Sequence, residues 1–345
     1  MSRAVWTAVL GAVLAGCLPS SQRELDRSVS AADSASAALA ATVPVDTLAR
    51  AWAARAPMRV PITLAWQDSA LAVVETGDGA LWRWTADGDS LDVTPLPDRG
   101  FPYGAGVRGD TVVALARGPG EVWWIVPGRG VVRRAAAPAA ATVAYADAER
   151  LAVRVGGGPD SLAAAVVMLD ERGRALRRTP LPGPAWRQVG FLRAWGDTLL
   201  ALSGYRPVVD RVGGDTLALV GFDSPQLARS AQFLRGEVDE PPLLASSAAS
   251  LDSLLFVLNL RDDHLRVDVY GRDGRLRRVL VSPRPWQPLR PVPLDLAVRR
   301  VRQTVEIAVL RAQPPGLLRA PESHVELWRW RPETRGARTH SEETR

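Results

Sequence analysis

Few residue types able to do chemistry stand together in this chain. Its three histidines are His264, His324 and His340. None has a partner at the spacing of a zinc site such as His-x-x-x-His, and no Gly-x-Ser-x-Gly elbow or phosphate-binding Gly-rich loop occurs. Asp263-His264 is an acid beside a base, but one adjacent pair more often makes a polar turn between strands than a catalytic unit. Asp87, Asp89 and Asp92 crowd into seven residues. A calcium loop needs six to eight oxygen ligands and, in the EF-hand pattern, a closing glutamate, which is missing here. Asp-Gly chemistry in a hairpin turn explains the run better. Arg108-Gly109-Asp110 spells an adhesion tripeptide, yet sister copies of the same segment carry Trp195 or Ser250 in place of the arginine, so it reads as a turn. No metal and no cofactor is expected.

The remaining reactive residue is Cys17, the only cysteine, which excludes an intramolecular disulfide. Ahead of it stand Met1-Ser2-Arg3 and an apolar run from Ala4 to Leu14. A basic start, a short apolar stretch and small residues before a cleavage point make a secretory signal peptide. The run is too short to span a bilayer, which takes about 20 apolar residues. Leu14-Ala15-Gly16-Cys17 resembles the lipobox of bacterial lipoproteins. That resemblance implies cleavage before Cys17, acylation of its thiol and attachment to a membrane by the acyl chains. Leu18, where an inner-membrane retention signal would place aspartate, implies the outer membrane over the inner one.

The charge balance points to no polyanion. The chain has 345 residues and a formal charge of +6, with 43 basic residues, all arginine, against 37 acids. The arginines are dispersed, whereas nucleic-acid binders cluster theirs on one face or helix. Arg133-Arg134, Arg177-Arg178 and Arg277-Arg278 read as solvated charges that keep edge strands from pairing wrongly.

The elements that must position any site are short strands. Residues 17–42 are rich in Ser, Ala, Gln and Asp and read as a flexible tether. Residues 43–59 allow either of two elements: a short helix over Asp46–Arg55, with Asp46 as cap and Leu48, Ala51 and Trp52 on one face, or a strand that clasps a ring. From about residue 60, apolar runs of strand length alternate with Gly, Pro and Asp turns. They recur in order. One element is a turn followed by an apolar run, as in Gly109-Asp110-Thr111-Val112-Val113-Ala114-Leu115, Gly196-Asp197-Thr198-Leu199-Leu200-Ala201-Leu202 and Leu251-Asp252-Ser253-Leu254-Leu255-Phe256-Val257. The next is an aromatic or apolar strand running into a polar turn, as in Leu81-Trp82-Arg83-Trp84, Val122-Trp123-Trp124-Ile125, Val267-Asp268-Val269-Tyr270 and Val325-Glu326-Leu327-Trp328. A period of about 40 to 55 residues built from short strands predicts a β-propeller, whose blades bury their faces only on one another.

Six blades of four strands are expected over residues 60–332, starting near 60, 103, 143, 187, 243 and 293. The last lacks an outer strand that residues 40–60 can supply, and residues 333–345 read as a disordered tail. The layout resembles six-bladed propellers of the NHL or TolB-like kind in repeat length and strand order. The alternative fold is a pair of β-sandwiches. Trp82 and Trp84, like Trp328 and Trp330, share a sheet face and read as blade-to-blade core.

Function then rests on loops, since loops on a rigid scaffold carry most binding sites. The longer ones run 205–214, 235–242, 283–293 and 313–323, and offer Tyr205, Arg206, Asp210, Arg211, Asp239, Glu240, Trp286 and Arg290 as candidate ligand contacts. The reading is a monomeric, lipid-anchored envelope protein that binds a protein or small molecule without catalysis and without nucleic acid. The alternative is a propeller enzyme, a lactonase-like hydrolase or sugar oxidoreductase, with its site at the central channel.

Overall fold

The structure, a computed structural model, describes residues 36, 38–156, 164–181, 190–283, 291–312 and 323–332. It is an all-β propeller of six blades. Blade 1 is β3 (Pro61–Gln67), β4 (Ala70–Glu75), β5 (Ala80–Trp84) and β6 (Ser90–Pro95). Blade 2 is β7 (Pro102–Arg108), β8 (Thr111–Ala116), β9 (Glu121–Val126) and β10 (Gly130–Ala136). Blade 3 is β11 (Ala141–Ala146), β12 (Leu151–Val155), β13 (Ala165–Leu169) and β14 (Ala175–Pro180). Blade 4 is β15 (Phe191–Trp195), β16 (Thr198–Leu202), β17 (Val208–Arg211) and β18 (Thr216–Ala218). Blade 5 is β19 (Ala245–Leu251), β20 (Leu254–Asn259), β21 (Arg266–Tyr270) and β22 (Leu276–Val281). Blade 6 has β23 (Val292–Val301), β24 (Thr304–Ala312) and β25 (Ser323–Trp330), and takes its outer strand from the front of the chain.

That outer strand is β2 (Ala49–Ala56), antiparallel to β25, with Trp52 opposite Leu327 and Ala54 opposite Val325. The helix reading of Asp46–Arg55 is therefore corrected. Trp52, Ala54 and Ala56 turn inward while Ala53 and Arg55 face solvent, the two-residue period of a strand. Asp46 caps no helix; its carboxylate accepts the Trp330 Nε1–H at 2.9 Å. It lies on β1 (Val45–Thr47), which adds a fifth, parallel strand to blade 5 beside β22. Two consecutive strands thus lock blades 5 and 6. Trp52 completes the closure across the next seam by donating to the Ala86 carbonyl of blade 1 at 2.7 Å.

Period-two alternation explains why the ring holds. On β8, Val112 and Ala114 pack toward blade 1, whereas Val113 and Leu115 pack toward blade 3. On β20, Leu255 and Val257 face blade 4, whereas Phe256 and Leu258 face blade 6. Six apolar clusters result, one at each seam. The paired tryptophans fall where their spacing puts them: Trp82 stacks on Trp84 at 6.1 Å, and Trp328 and Trp330 share the seam of blades 5 and 6.

Each first-to-second hairpin of blades 1, 2, 4, 5 and 6 has a left-handed residue at its turn: Asp68, Gly109, Gly196, Asp252 and Arg302. These turns account for the recurring Gly/Asp signature in the sequence. The inner strands approach closely, and a Cβ on Gly106 would lie 2.2 Å from the backbone of Ala146 in blade 3. One departure from the repeat matters for function. After β18 the chain makes an excursion, residues 219–244, carrying helix α1 (Leu227–Leu234) onto the face formed by the interblade and second-to-third-strand loops. We call this the upper face.

Candidate functional site

The central channel is built by the six first strands. Its lower end opens into a cavity of about 260 Å³ lined from every blade, with Trp66, Val107, Tyr145, Ala194, Ser250 and Val298 among the walls. Asp295 lies on one of the same first strands, β23. That carboxylate is fully buried and accepts Arg193 Nη2 at 2.7 Å, the Leu64 and Leu296 amides at 2.9 Å each, and the Ser247 hydroxyl. Blades 4, 5, 6 and 1 therefore meet on one side chain. Arg193 is held in turn by the Ala248 and Leu192 carbonyls, both at 2.9 Å. Above it runs a stacked column: Arg193 over Phe191 at 4.8 Å, Phe191 on Tyr103 at 6.5 Å, and Arg117 over Tyr103 at 3.5 Å.

At the lower mouth Asp147 accepts Arg150 Nε at 2.8 Å and the Tyr145 hydroxyl at 2.9 Å. Burial alone would raise the Asp147 pKa, but hydrogen bonds from Arg150, the Glu149 amide and Tyr145 hold it below the ordinary carboxylate value. Tyr145 moves the other way: burial first, then the Asp147 charge, keep its phenol protonated well above the usual range. Its hydroxyl is committed as a donor to Asp147.

A second concavity lies on the upper face between α1 and the top of blades 5 and 6. It encloses about 430 Å³ and has walls from three separate parts of the chain. The excursion gives Pro225, Arg229, Glu240 and Pro242; blade 5 gives Ser246, Leu260 and Arg261; blade 6 gives Val292, Pro293 and Leu294. Two buried polar atoms of its lining residues, Ser246 Oγ and Arg261 Nε, have no hydrogen-bond partner among the described residues. Beneath it Asp223 binds Arg261 Nη2 at 2.9 Å and Arg266 Nη1 at 3.0 Å, and Arg266 Nε reaches Asp268 at 2.7 Å. Burial, then the neighbouring Arg266 charge, lowers the Arg261 pKa, while the Asp223 and Asp268 charges act against that. Burial raises that of Asp268 despite Arg266.

The six described loop residues expected on one binding face are not brought together. Glu240 alone of them lines the groove, and Asp239 is exposed beside it. Arg206 is buried and donates to Ser230 Oγ of α1 at 3.0 Å, and the Tyr205 carbonyl accepts that same hydroxyl at 3.3 Å. Both therefore fasten the helix to blade 4. Asp210 and Arg211 are not loop residues: Val208-Val209 draws them into β17. Asp210 accepts Thr216 Oγ1 within the blade, and Arg211 reaches Asp215 and the Arg272 carbonyl, each at 3.0 Å, on the lower side. Trp286 and Arg290 lie outside the described residues, as do Cys17, the signal peptide, most of the tether and the tail.

The other motifs settle in turns, except Asp92, which lies on β6. His264 Nδ1 contacts Asp263 within one loop at 2.5 Å. Asp92 pairs with Arg83 at 3.0 Å, while the Asp87 and Asp89 amides donate to Thr85 Oγ1. Arg108 pairs with Glu171 of blade 3 at 3.0 Å. Among the described residues no three His, Cys, Asp or Glu side chains gather as a metal site would need.

By fold, then, the chain is a six-bladed β-propeller with a helical excursion between blades 4 and 5. No family model matches its sequence, and no curated protein is similar to it at a significant level. Among solved structures, virginiamycin B lyase from Staphylococcus aureus aligns with a TM-score of 0.46 and 11% identity, over 82% of this chain and 89% of that one. Glutaminyl cyclase from Myxococcus xanthus gives 0.42 and 10%, over 83% and 99%. The calcium-binding protein regucalcin from Agrobacterium tumefaciens gives 0.49 and 10%, over 83% and 96%. These identities and scores are too low to carry a residue, a ligand or an activity across.

Proposed function

We propose that the chain is an exported lipoprotein, acylated on Cys17, whose propeller is a non-catalytic binding module. Its ligand seat is the upper groove between α1 and blades 5 and 6. The observation that carries this reading is the pairing of apolar walls with two unmatched polar atoms, Ser246 Oγ and Arg261 Nε. The groove's size falls within the range of small-molecule sites. A buried donor left without an acceptor costs roughly 1–3 kcal/mol; Ser246 Oγ and Arg261 Nε are covered in this structure, so a ligand acceptor returns that cost once their side chains turn into the groove. The Arg261 guanidinium pairs with Asp223 through Nη2, and its unmatched Nε favours an anionic acceptor, so the matching ligand has an apolar body and a carboxylate head.

Binding is favoured over catalysis by the state of the channel. Asp295 already accepts four hydrogen bonds, and Asp147 is engaged by Arg150 and Tyr145. Neither carboxylate is placed to hand a proton to a substrate.

Octanoate is a suitable probe, with octylamine as its charge-reversed counterpart. Octanoate is expected to raise the melting temperature of the protein, octylamine is not, and the octanoate effect is expected to vanish in Leu243→Glu, which puts bulk and a repelling negative charge on the groove wall that Leu243 helps to line. Equal shifts from both compounds, or an undiminished octanoate shift in Leu243→Glu, would refute the reading.

A further inference from the structure

The three arginine pairs scattered along the sequence have different fates in the fold. Arg277 and Arg278 lie on β22, whose outer edge is covered by β1. Arg133-Arg134 and Arg177-Arg178 lie on β10 and β14, the outermost strands of blades 2 and 3, which no further described strand covers. These two edges adjoin. A Cβ on Gly173, in the turn before β14, would sit 2.4 Å from the Cβ of Ala135 on β10. Arg108 of blade 2 ties Glu171 of the same turn at 3.0 Å.

Two guanidinium groups on this ribbon lie over buried indoles. Arg133 lies over the Trp124 ring at 4.5 Å and Arg134 over Trp123 at 5.4 Å. Stacking on an indole restricts the side chain, and a guanidinium fork takes phosphate oxygens in pairs. Nearby acids are already engaged: Asp170 by Arg174, Glu171 by Arg108, and Glu121 by Trp123 Nε1 and, at 4.0 Å, by Arg134. Arg129, Arg133, Arg172 and Arg177 are left without an acidic partner among the described residues. Between them two apolar side chains project, Val132 at 45% exposure and Leu176 at 69%.

We propose that the outer edge of blades 2 and 3 docks on an anionic lipid bilayer, its arginines on headgroup phosphates and Val132 and Leu176 dipping among the headgroups. An excess of positive charge with isolated apolar tips matches such a surface, whereas the docking face of a protein partner would need a broader apolar centre. The contact is separate from the acyl anchor and from the upper groove, so either of those readings can fail without it.

The test uses the full chain carrying Cys17→Ser, so that no acyl group contributes, sedimented with phosphatidylcholine vesicles with or without phosphatidylglycerol. Binding is expected only with phosphatidylglycerol. Arg133→Gln with Arg177→Gln, both at exposed positions, is expected to lower the partition coefficient roughly ten- to thirty-fold, and Leu176→Ser a few-fold. The charge-matched Arg302→Gln with Arg331→Gln on blade 6 is expected to leave it unchanged, and matching melting temperatures show that the variants fold. Equal sedimentation with neutral vesicles, no sedimentation at all, or an equal loss in the blade 6 variant would overturn the proposal; the arginines would then serve only to keep the edge strands unpaired.

Discussion

Asp295 shows how much of this molecule turns on single side chains. Removing it strands Arg193, whose charge is nearly buried, so Asp295→Ala is expected to cost about 3–5 kcal/mol in urea unfolding. Adding Arg193→Met removes the stranded charge, and the double variant should cost clearly less than the two single changes summed. Asp147 offers a test in pH. Its folded pKa lies below the unfolded value, so its stabilising contribution is present above the ordinary carboxylate range and lost as pH falls through it. Asp147→Asn should therefore flatten the decline of melting temperature between about pH 5 and pH 2. Asp268, raised by burial, works in the opposite direction and does not produce that decline. At this scale the sequence was a poor guide to the site. Glu240 was reachable as a loop residue, but Ser246 and Arg261 were not, because the groove joins three segments that are distant along the chain and no residue type marks them.

Among the elements, the clasp decides whether the ring is closed. Trp52 reaches from β2 into blade 1, where its indole packs on Gly88 and donates to the Ala86 carbonyl. Trp52→Ala is expected to cost about 2 kcal/mol, read as a lower melting temperature, and to speed amide exchange in β2 and β25 before the other blades. The blades themselves were legible because alternation of apolar residues and two-residue turns recur at a fixed period, and each seam buries what that alternation exposes. The segment around Trp52 was ambiguous for a physical reason. Alanine, leucine and arginine are good helix formers, and only the pairing with β25, more than two hundred residues away, selects the two-residue period. The excursion bearing α1 breaks the repeat, so periodicity could not announce it.

For the whole molecule, the lipid anchor and the binding reading meet. Cys17→Ser is expected to shift the protein from the membrane fraction to the soluble fraction and to abolish labelling by a palmitate analogue, while leaving the melting temperature unchanged. On that reading the propeller is a platform whose blades 4, 5, 6 and 1 are joined at Asp295, with a groove on the upper face and an arginine-rich edge on blades 2 and 3. The most direct measurement of the central claim is a crystal structure of the protein grown with octanoate. The account predicts the alkyl chain along Leu260, Val292 and Leu294, with the carboxylate on Arg261 and Ser246. An empty groove at saturating octanoate, or octanoate bound in the lower channel mouth instead, would contradict it.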